Sequence, residues 1–526
     1  PHIDFTVGPV HRAVAEATAA AFGDEALPAD LTDIPTKAKT IVVVADDLEE
    51  SHNVAALRIK DAVDPRTLPK RDPARLIVIA SKRGELCDFA EPYGGVWLRP
   101  EPGQELAALA ALARALANDD GVKQSASAAG LDLSVAATGP DTAPGIESEA
   151  LERAAAILRE AASDREQTVA VVYAPSATGV ARAAETTKAA ANVALLLRGK
   201  EAARSFFVLP TEANVNGARD MGVAPELLPG RKPVGGNVGL DFNGIVDAAL
   251  DGKIKALVVA GDNPLMFAPA RQRVETALAK LDFLLVIDQL LTDTAQQAHV
   301  VLADAPTYSK DGTFTNADRR VQRLRAAQSL PGDARPAWQT LSQLGQRLAE
   351  RLGANARFDY EEAGDVTNEI AAKVLGYERF VAYGFFGWGN ARAVSDALPG
   401  PVALQPVAMT ATPSANGHVA LLTGRTLYTS LEGAAIRSPD ADKLHREEGV
   451  FVNQYDASEW GIAMGDDVVL QNGSPDAMLS LKAIVTTAVP RGAVFVSSYY
   501  DGGAVGVLLP QENGSMALPL VTLTKA

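Results

Sequence analysis

Short apolar runs, each followed by polar residues and then by a helical stretch, recur through the first two thirds of the chain. The first two runs are Thr40–Ala45 (TIVVVA) and Arg75–Ala80 (RLIVIA), and Asn53–Lys60 and Glu105–Asn118 have the character of helices. Continuous apolar runs of this length are typical of strands that are buried on both faces of a parallel sheet. The alternation therefore predicts β-loop-α units joined by right-handed crossovers.

The alternation continues in a second block and then stops. Further strands are predicted at Gln167–Tyr173, Ser205–Leu209, Lys253–Ala260 and Phe283–Ile287. From about residue 400, short runs separated by turns predict a β-rich domain instead. We expect four parts, which are α/β domains at 1–135 and 136–335, a helical and linker segment at 336–399, and a β domain at 400–526.

Composition and charge narrow the function classes. The chain has 526 residues, 47% of them hydrophobic, and a formal net charge of -16. This charge disfavours binding nucleic acid through a general basic surface, and no window of about 20 apolar residues predicts a membrane span. The motifs GxSxG, Walker A and GxGxxG are absent from the sequence, so hydrolase, NTPase and NADH-site functions have no support.

Cysteine and histidine content limits metal binding. Cys87 is the only cysteine, whereas a [4Fe–4S] cluster usually takes four, so the chain cannot hold one by itself. Its apolar neighbours in LCDFA predict a buried structural thiol, without the basic neighbours that would lower its pKa. The six histidines show no metal-ligand spacing such as HxxxH.

Polar residues follow the predicted strands at the sheet edge where open α/β folds bind ligands. The loops after the first two strands carry Asp46, Asp47, Glu49 and Glu50, and then Ser81, Lys82 and Arg83. The densest polar segment, Lys310–Arg323 (KDGTFTNADRRVQR), follows the strand at Phe283–Ile287. Its basic trio of Arg319, Arg320 and Arg323 allows three interpretations: an anion site, an ion-pair cluster between subunits, or a solvated face.

Together with AGDNP at Ala260–Pro264 and VIDQLLTDTAQQAHVVL at Val286–Leu302, this segment resembles the molybdopterin oxidoreductase superfamily. The stretch VFVNQYDASEWGIAMGDDVVL at Val450–Leu470 resembles the terminal β-barrel of the same superfamily. The resemblance implies an α/β fold with two Rossmann-like parallel-sheet domains followed by a C-terminal β-barrel domain.

The two loops depart from the pattern of cofactor-bearing members. There the first loop is a Gly-Ser/Ala-Asn-Pro turn, and the second is an Asp-Pro-Arg turn that reads a guanine nucleotide. Here the first loop carries four carboxylates, which would repel a pyrophosphate at short range, and Ala80–Arg83 lacks the Asp-Pro pair. Asn214, Asn216 and Gly217 lie in a further shared segment, where they either contact a ligand or form a turn with helix-capping residues.

The resemblance implies two functions. The first is a non-catalytic, cofactor-free part of the large iron–sulfur subunit of respiratory complex I (NADH–quinone oxidoreductase), with other peripheral-arm subunits as partners. Such a chain would lie on the cytoplasmic side of the bacterial inner membrane without inserting into it, and its iron–sulfur clusters would precede Pro1. The alternative is a catalytic formate dehydrogenase-like subunit with molybdenum or tungsten held by molybdopterin guanine dinucleotide.

The DGTFTNADRRVQR loop favours the enzyme, whereas the acidic first loop and the missing Asp-Pro-Arg turn favour the scaffold, which is the function we expect. We therefore expect no catalytic, cofactor-binding or metal-ligating residue in the chain, and an NADH site on another polypeptide. The glycine-aromatic segment Tyr383–Gly389 is expected to pack on its own chain or to act as a docking element.

Overall fold

In the computed structural model, the residues described are 2–46, 48–67, 72–164, 166–176, 178–382, 392–409, 417–426, 448–511 and 514–526. The chain forms two compact units. The larger unit comprises Val10–Thr211 and Asp396–Ala526, and the smaller unit comprises Pro1–Pro9 and Glu212–Ser395.

In the larger unit, five strands of the described residues form one parallel sheet in the order β3-β2-β1-β4-β5. The strands are β1 (Ala38–Val44), β2 (Arg75–Ile79), β3 (Val96–Leu98), β4 (Thr168–Tyr173) and β5 (Phe206–Val208). In this order the chain reverses its direction of travel across the sheet between β1 and β4, and ligands of open α/β folds bind at such a switch point.

Helices pack against this sheet and against one another, and their Ala/Leu-rich faces complete the core. Leu109 and Leu112 are fully buried with Val171 and Leu195 in one apolar cluster. The helices are α1 (Gly8–Phe22), α2 (Asp33–Lys37), α3 (Leu48–Ser51), α4 (Asn53–Val63), α5 (Glu85–Ala90), α6 (Glu105–Ala117), α7 (Asp120–Ala128), α8 (Ser134–Ala137), α9 (Ser148–Ser163) and α10 (Val180–Arg198).

The smaller unit contains a second parallel sheet, with strand order β10-β9-β8, and the antiparallel hairpin β11-β12. Its strands are β6 (Leu227–Leu228), β7 (Lys232–Pro233), β8 (Ala256–Ala260), β9 (Phe283–Asp288), β10 (Val300–Ala303), β11 (Gly312–Thr315) and β12 (Val321–Leu324). Its helices are α11 (Val215–Asp220), α12 (Phe242–Leu250), α13 (Pro264–Phe267), α14 (Arg271–Ala279), α15 (Asp293–Gln296), α16 (Ala337–Leu352), α17 (Ala363–Lys373) and α18 (Tyr377–Ala382).

The C-terminal part of the larger unit is a closed barrel, in which six strands of the described residues follow the order β13-β17-β14-β16-β15-β18. Inward-facing Val452, Val468, Leu470 and Val494 fill its interior. Its elements are β13 (Val419–Gly424), β14 (Val450–Asn453), α19 (Gln454–Glu459), β15 (Asp467–Gln471), β16 (Met478–Thr486), β17 (Ala493–Ser497) and β18 (Leu520–Lys525).

The predicted fold class, α/β with parallel sheets and a C-terminal barrel, is confirmed. The division at residue 135 differs from the structure, because β4 and β5 extend the sheet built by β1–β3 instead of opening a new one. The strand predicted at Phe283–Ile287 is present, but Phe283 at its start is 42% exposed while the residues that follow it are buried. The closing strand β18 was not predicted, since LVTLTK lacks a long apolar run.

Candidate functional site

The candidate site lies in the larger unit, at the carboxyl ends of β1 and β2. The side chain of Asp46, just after β1, accepts hydrogen bonds from the backbone N–H of Lys82 at 3.0 Å and from the Ser81 hydroxyl at 3.2 and 3.3 Å. Asp46 is exposed at its surface, but the surrounding protein partly desolvates its carboxyl, and this desolvation raises the pKa of the carboxyl. The hydrogen bond from the Lys82 N–H acts in the opposite direction and lowers that pKa. This carboxylate therefore ties the first loop to the second.

The second loop is also held by the barrel. The Lys82 side chain is 8% exposed, and its Nζ lies 4.1 Å from the centroid of the Phe495 ring on β17. The backbone N–H of Arg83 donates to the carbonyl oxygen of Ala488 at 2.9 Å. A desolvated cation–π contact of this kind contributes on the order of 2 kcal/mol, so Lys82 serves barrel packing.

A second carboxylate and an arginine lie near Asp46. Burial, together with the charge of Asp46, raises the pKa of Glu105, the first residue of α6, to about 7, while Arg182 in the first turn of α10 opposes this rise. Nη1 of Arg182 is buried and has no hydrogen-bond partner among the described residues. Burial likewise raises the pKa of Tyr173 at the end of β4. The switch point thus has a mixed acidic and basic lining.

The carboxylates of the first loop do not all point to this edge. Glu49 is buried and accepts a hydrogen bond from the backbone N–H of Leu86 in α5 at 3.2 Å, so it does not face the pyrophosphate position that the sequence analysis assumed for all four carboxylates. The reason is that α3 begins at Leu48 and turns Glu49 inwards. Asp47 lies outside the described residues, and Glu50 is half-buried.

Sequence reasoning missed Glu105, Arg182 and His52 as members or neighbours of the site. His52 is half-buried; its Nε2 lies 2.8 Å from the carbonyl oxygen of Pro210 beyond β5, and its Nδ1 lies 2.9 Å from the hydroxyl of Ser51. Burial lowers the pKa of His52. The sequence did contain one indication of Glu105 and Arg182 as site residues, since both lie at the start of helices that begin at the ligand-binding edge.

In the smaller unit, the asparagines of the shared segment hold the β11-β12 hairpin. Asn214 Oδ1 accepts from the backbone N–H of Thr315 at 2.8 Å, and Asn216 Nδ2 donates to the carbonyl oxygen of Asn316 at 2.7 Å. A Cβ on Gly217 would lie 2.1 Å from Asn214 Oδ1, so the close approach requires glycine there. These contacts match the turn interpretation of the segment.

The three arginines of the KDGTFTNADRRVQR segment do not act together. Arg319 is 5% exposed, is ion-paired with the buried Asp220, and donates from Nε to the carbonyl oxygen of Ala393 at 2.8 Å. Arg320 lies 3.3 Å from Asp318, and Arg323 is exposed on β12. Arg319 is therefore an ion-pairing residue within the chain, which none of the three interpretations of the trio described.

The GDNP turn also serves internal packing. Asp262 accepts from the backbone N–H and hydroxyl of Thr6 at 2.9 and 2.8 Å, and burial raises the pKa of its carboxyl. Asn263 Oδ1 accepts from the hydroxyl of Thr294 at 2.6 Å, which joins the turn to α15. The turn thus fixes the N-terminal residues of the chain and α15 to β8.

Cys87 is 4% exposed in α5, and burial raises the pKa of its thiol to about 12, as expected for a structural cysteine. Within the described ranges, His, Cys, Asp and Glu side chains form no group of three able to hold a metal ion. No helix in the described part of the chain has the length and apolar character that a bilayer-spanning segment needs. The aromatic segment Tyr383–Gly389 lies outside the described residues.

The chain is similar to curated oxidoreductases along most of its length. It is 29% identical over 513 residues to the NADPH-Fe(3+) oxidoreductase subunit alpha of Geobacter sulfurreducens, covering 93% of this chain and 56% of the relative. It is 30% identical over 409 residues to the F420-dependent formate dehydrogenase subunit alpha of Methanocaldococcus jannaschii, covering 73% and 57%. It is 27% identical over 488 residues to an NADH-quinone oxidoreductase subunit of Rhizobium meliloti, covering 88% and 52%. The chain thus spans little more than half the length of these relatives.

The fold has a solved counterpart in the acetylene hydratase from Pelobacter acetylenicus. The TM-score is 0.71 at 13% sequence identity, over 99% of this chain and 82% of that chain, a likeness that concerns the fold alone. The family model for molybdopterin oxidoreductase matches residues 17–347, and the model for the molybdopterin dinucleotide binding domain matches residues 419–516. The first match alone covers more than half of the sequence, and the chain belongs to the molybdopterin oxidoreductase family.

Proposed function

We propose that this chain is a non-catalytic structural part of the large iron–sulfur subunit of an NADH–quinone oxidoreductase. In this role the family fold supports electron transfer from NADH to quinone without binding a pterin itself. Its partners are other subunits of the peripheral arm, on the cytoplasmic side of a bacterial inner membrane. Because these 526 residues contain one cysteine and a [4Fe–4S] cluster usually needs four ligands, the clusters of the subunit would be held by residues outside this sequence.

The observation that carries this proposal is the hydrogen bonding of Asp46. Loops at this edge bind phosphates through N–H and hydroxyl donors. Here the Lys82 N–H and the Ser81 hydroxyl already donate to a carboxylate of the same chain. A dinucleotide phosphate would have to take these donors from the Asp46 carboxylate, and the two negative groups would then lie side by side and repel each other. The residues present therefore do not fit a phosphate at this loop.

Two further observations support the scaffold. Lys82 is packed under the Phe495 ring, and its neighbour Arg83 is bonded through its backbone to Ala488, so the barrel occupies the flank of the second loop. In addition, Asn214, Asn216 and Arg319 make contacts within the smaller unit that need no ligand. The similarity to an NADH-quinone oxidoreductase subunit over 88% of the chain agrees with this role.

The alternative function is a catalytic formate dehydrogenase-like subunit that binds a molybdenum or tungsten pterin. It is favoured by the 30% identity to a formate dehydrogenase subunit alpha and by the match of residues 419–516 to a dinucleotide binding domain. Under this alternative Asp46 would have to swing away from Ser81 and Lys82 when the cofactor binds.

Metal content and partner content of the native protein separate the two functions. The full-length protein is tagged in the cells that naturally produce it. These cells are grown with molybdate and tungstate, and the protein is purified with mild detergent. Elemental analysis then gives molybdenum and tungsten per chain, and mass spectrometry identifies the subunits that co-purify. The scaffold predicts flavin- and quinone-module subunits with neither metal. About one metal atom per chain would refute the scaffold, and purification without these subunits would also count against it.

A further inference from the structure

We infer that the Asp46 carboxylate fills an anion-binding site built by the chain itself from Ser81 and Lys82, and that removing this side chain opens the site to pyrophosphate. The inference rests on the proposed function, because it explains why a phosphate ligand would be excluded from the native chain. It adds that the exclusion of phosphate depends on the Asp46 side chain alone, and that the donors of Ser81 and Lys82 remain able to bind an anion.

The donor set has the geometry of an anion site. The Ser81 hydroxyl and the Lys82 backbone N–H converge on the two oxygens of one carboxylate, at 3.0–3.3 Å. Ser81 is completely buried, so its hydroxyl is held in place by the surrounding chain. The Lys82 ammonium also acts electrostatically on Asp46. A phosphate oxygen could accept from the same two donors, since carboxylates and phosphates are bound by the same kinds of groups.

A cation close by would add to this site once the carboxylate is gone. Arg182 acts electrostatically on Glu105, which is itself close enough to Asp46 for their charges to interact. Nη1 of Arg182 is buried without a hydrogen-bond partner in the described part of the chain. In the native chain, the carboxylates of Asp46 and Glu105 oppose an incoming anion, and loss of Asp46 leaves Glu105 as the remaining carboxylate of the pair.

The test is a calorimetric titration of the full chain with inorganic pyrophosphate at pH 8 and low salt. Asp46→Ala is expected to bind at least about tenfold more tightly than the native chain, because the anion replaces the lost acceptor and one repulsive charge is gone. Adding Ser81→Ala to this variant is expected to weaken binding again. Asp46→Asn keeps the size and an acceptor oxygen, so it should fold as the native chain does and bind less well than Asp46→Ala.

Asp120→Ala is the matched control, because it also removes one negative charge, from an exposed position on α7 where the partner is Lys123. If Asp120→Ala gained as much affinity for pyrophosphate as Asp46→Ala, the gain would be explained by the change in net charge alone, and the inference would be overturned. It would also be overturned by a native chain that binds pyrophosphate as tightly as the variant, or by a folded Asp46→Ala chain that does not bind it. These outcomes concern the anion site alone, whereas a pterin metal in the native protein would contradict the proposed function itself.

Discussion

The Asp220→Ala substitution is expected to destabilise the smaller unit strongly, because it removes the anion from a buried group of charges. The Asp220 side chain is 1% exposed and faces Arg319, whose side chain is 6% exposed, and Arg231, which lies 3.2 Å away and is 15% exposed. Without the carboxylate, two guanidinium groups stay desolvated at that position.

The expected cost is about 3–5 kcal/mol, the range for removing one partner of a buried ion pair. Arg319→Met should cost less, about 2–3 kcal/mol, because Arg231 still neutralises Asp220. Methionine also keeps a side chain at a residue with a φ of +62°, so both chains carry the same backbone strain. The double variant should be more stable than the sum of the two costs implies, by at least about 0.5 kcal/mol.

Unfolding of a chain with two units is not a single two-state transition, so the measurement must be local. Hydrogen exchange of peptides from the β11-β12 hairpin in increasing urea reports the free energy of opening beside Arg319. The control is Asp251→Ala, which breaks an exposed pair with Lys253 in the same unit and should not change exchange there. If Asp220→Ala changed hairpin exchange no more than this control, the structural role assigned to the pair would be wrong.

Three further outcomes follow from the described contacts. Cys87 should resist iodoacetamide at pH 8 in the folded chain and react in urea, as mass spectrometry would show, because burial raises the pKa of its thiol to about 12. Burial raises the pKa of Asp4 to about 7, so the folded state holds this proton more tightly, and the smaller unit should lose stability as pH rises from about 4 to about 7. Burial also raises the pKa of Asp262 in the same unit, so urea unfolding of Asp4→Asn should show a smaller loss over this range than the native chain does. Lys82→Met should lower the free energy of unfolding of the larger unit by about 1–2 kcal/mol through loss of the contact with Phe495, whereas Lys123→Met on the exposed face of α7 should not change it.

Patterns of apolar residues predicted the elements of this fold well, because buried strands need continuous apolar runs. The strands at β1, β2, β4 and β9 lie where TIVVVA, RLIVIA, QTVAVVY and FLLVI occur. The sequence could not predict that β4 joins β1, since both runs are equally apolar and pairing is decided by packing across about 130 residues. The same holds for the return of the chain from the smaller unit to the barrel.

Side-chain direction limited the prediction of the site. Asp46 and Glu49 are three residues apart in one acidic run, yet one lies at the ligand-binding edge and the other is buried against α5. The hydrogen bonds of Asp46 to Ser81 and Lys82 depend on the adjacency of β1 and β2 and on the register between them. Glu105 and Arg182 join the site only because α6 and α10 start near the same switch point, which no local spacing indicates.

The contacts of Arg319 give the KDGTFTNADRRVQR segment a structural role that does not depend on whether the chain binds a pterin. Arg319 neutralises Asp220, and Asn214 and Asn216 fix the hairpin that carries Thr315. Each contact stabilises the smaller unit by itself, so loss of cofactor binding would not relax the requirement for these residues. The two loops after β1 and β2 differ from this segment, because the hydrogen-bond donors of these loops can be satisfied either by a ligand or by a carboxylate of the chain. Residues of these loops, rather than the long family segment, should therefore separate members that bind a pterin from members that do not.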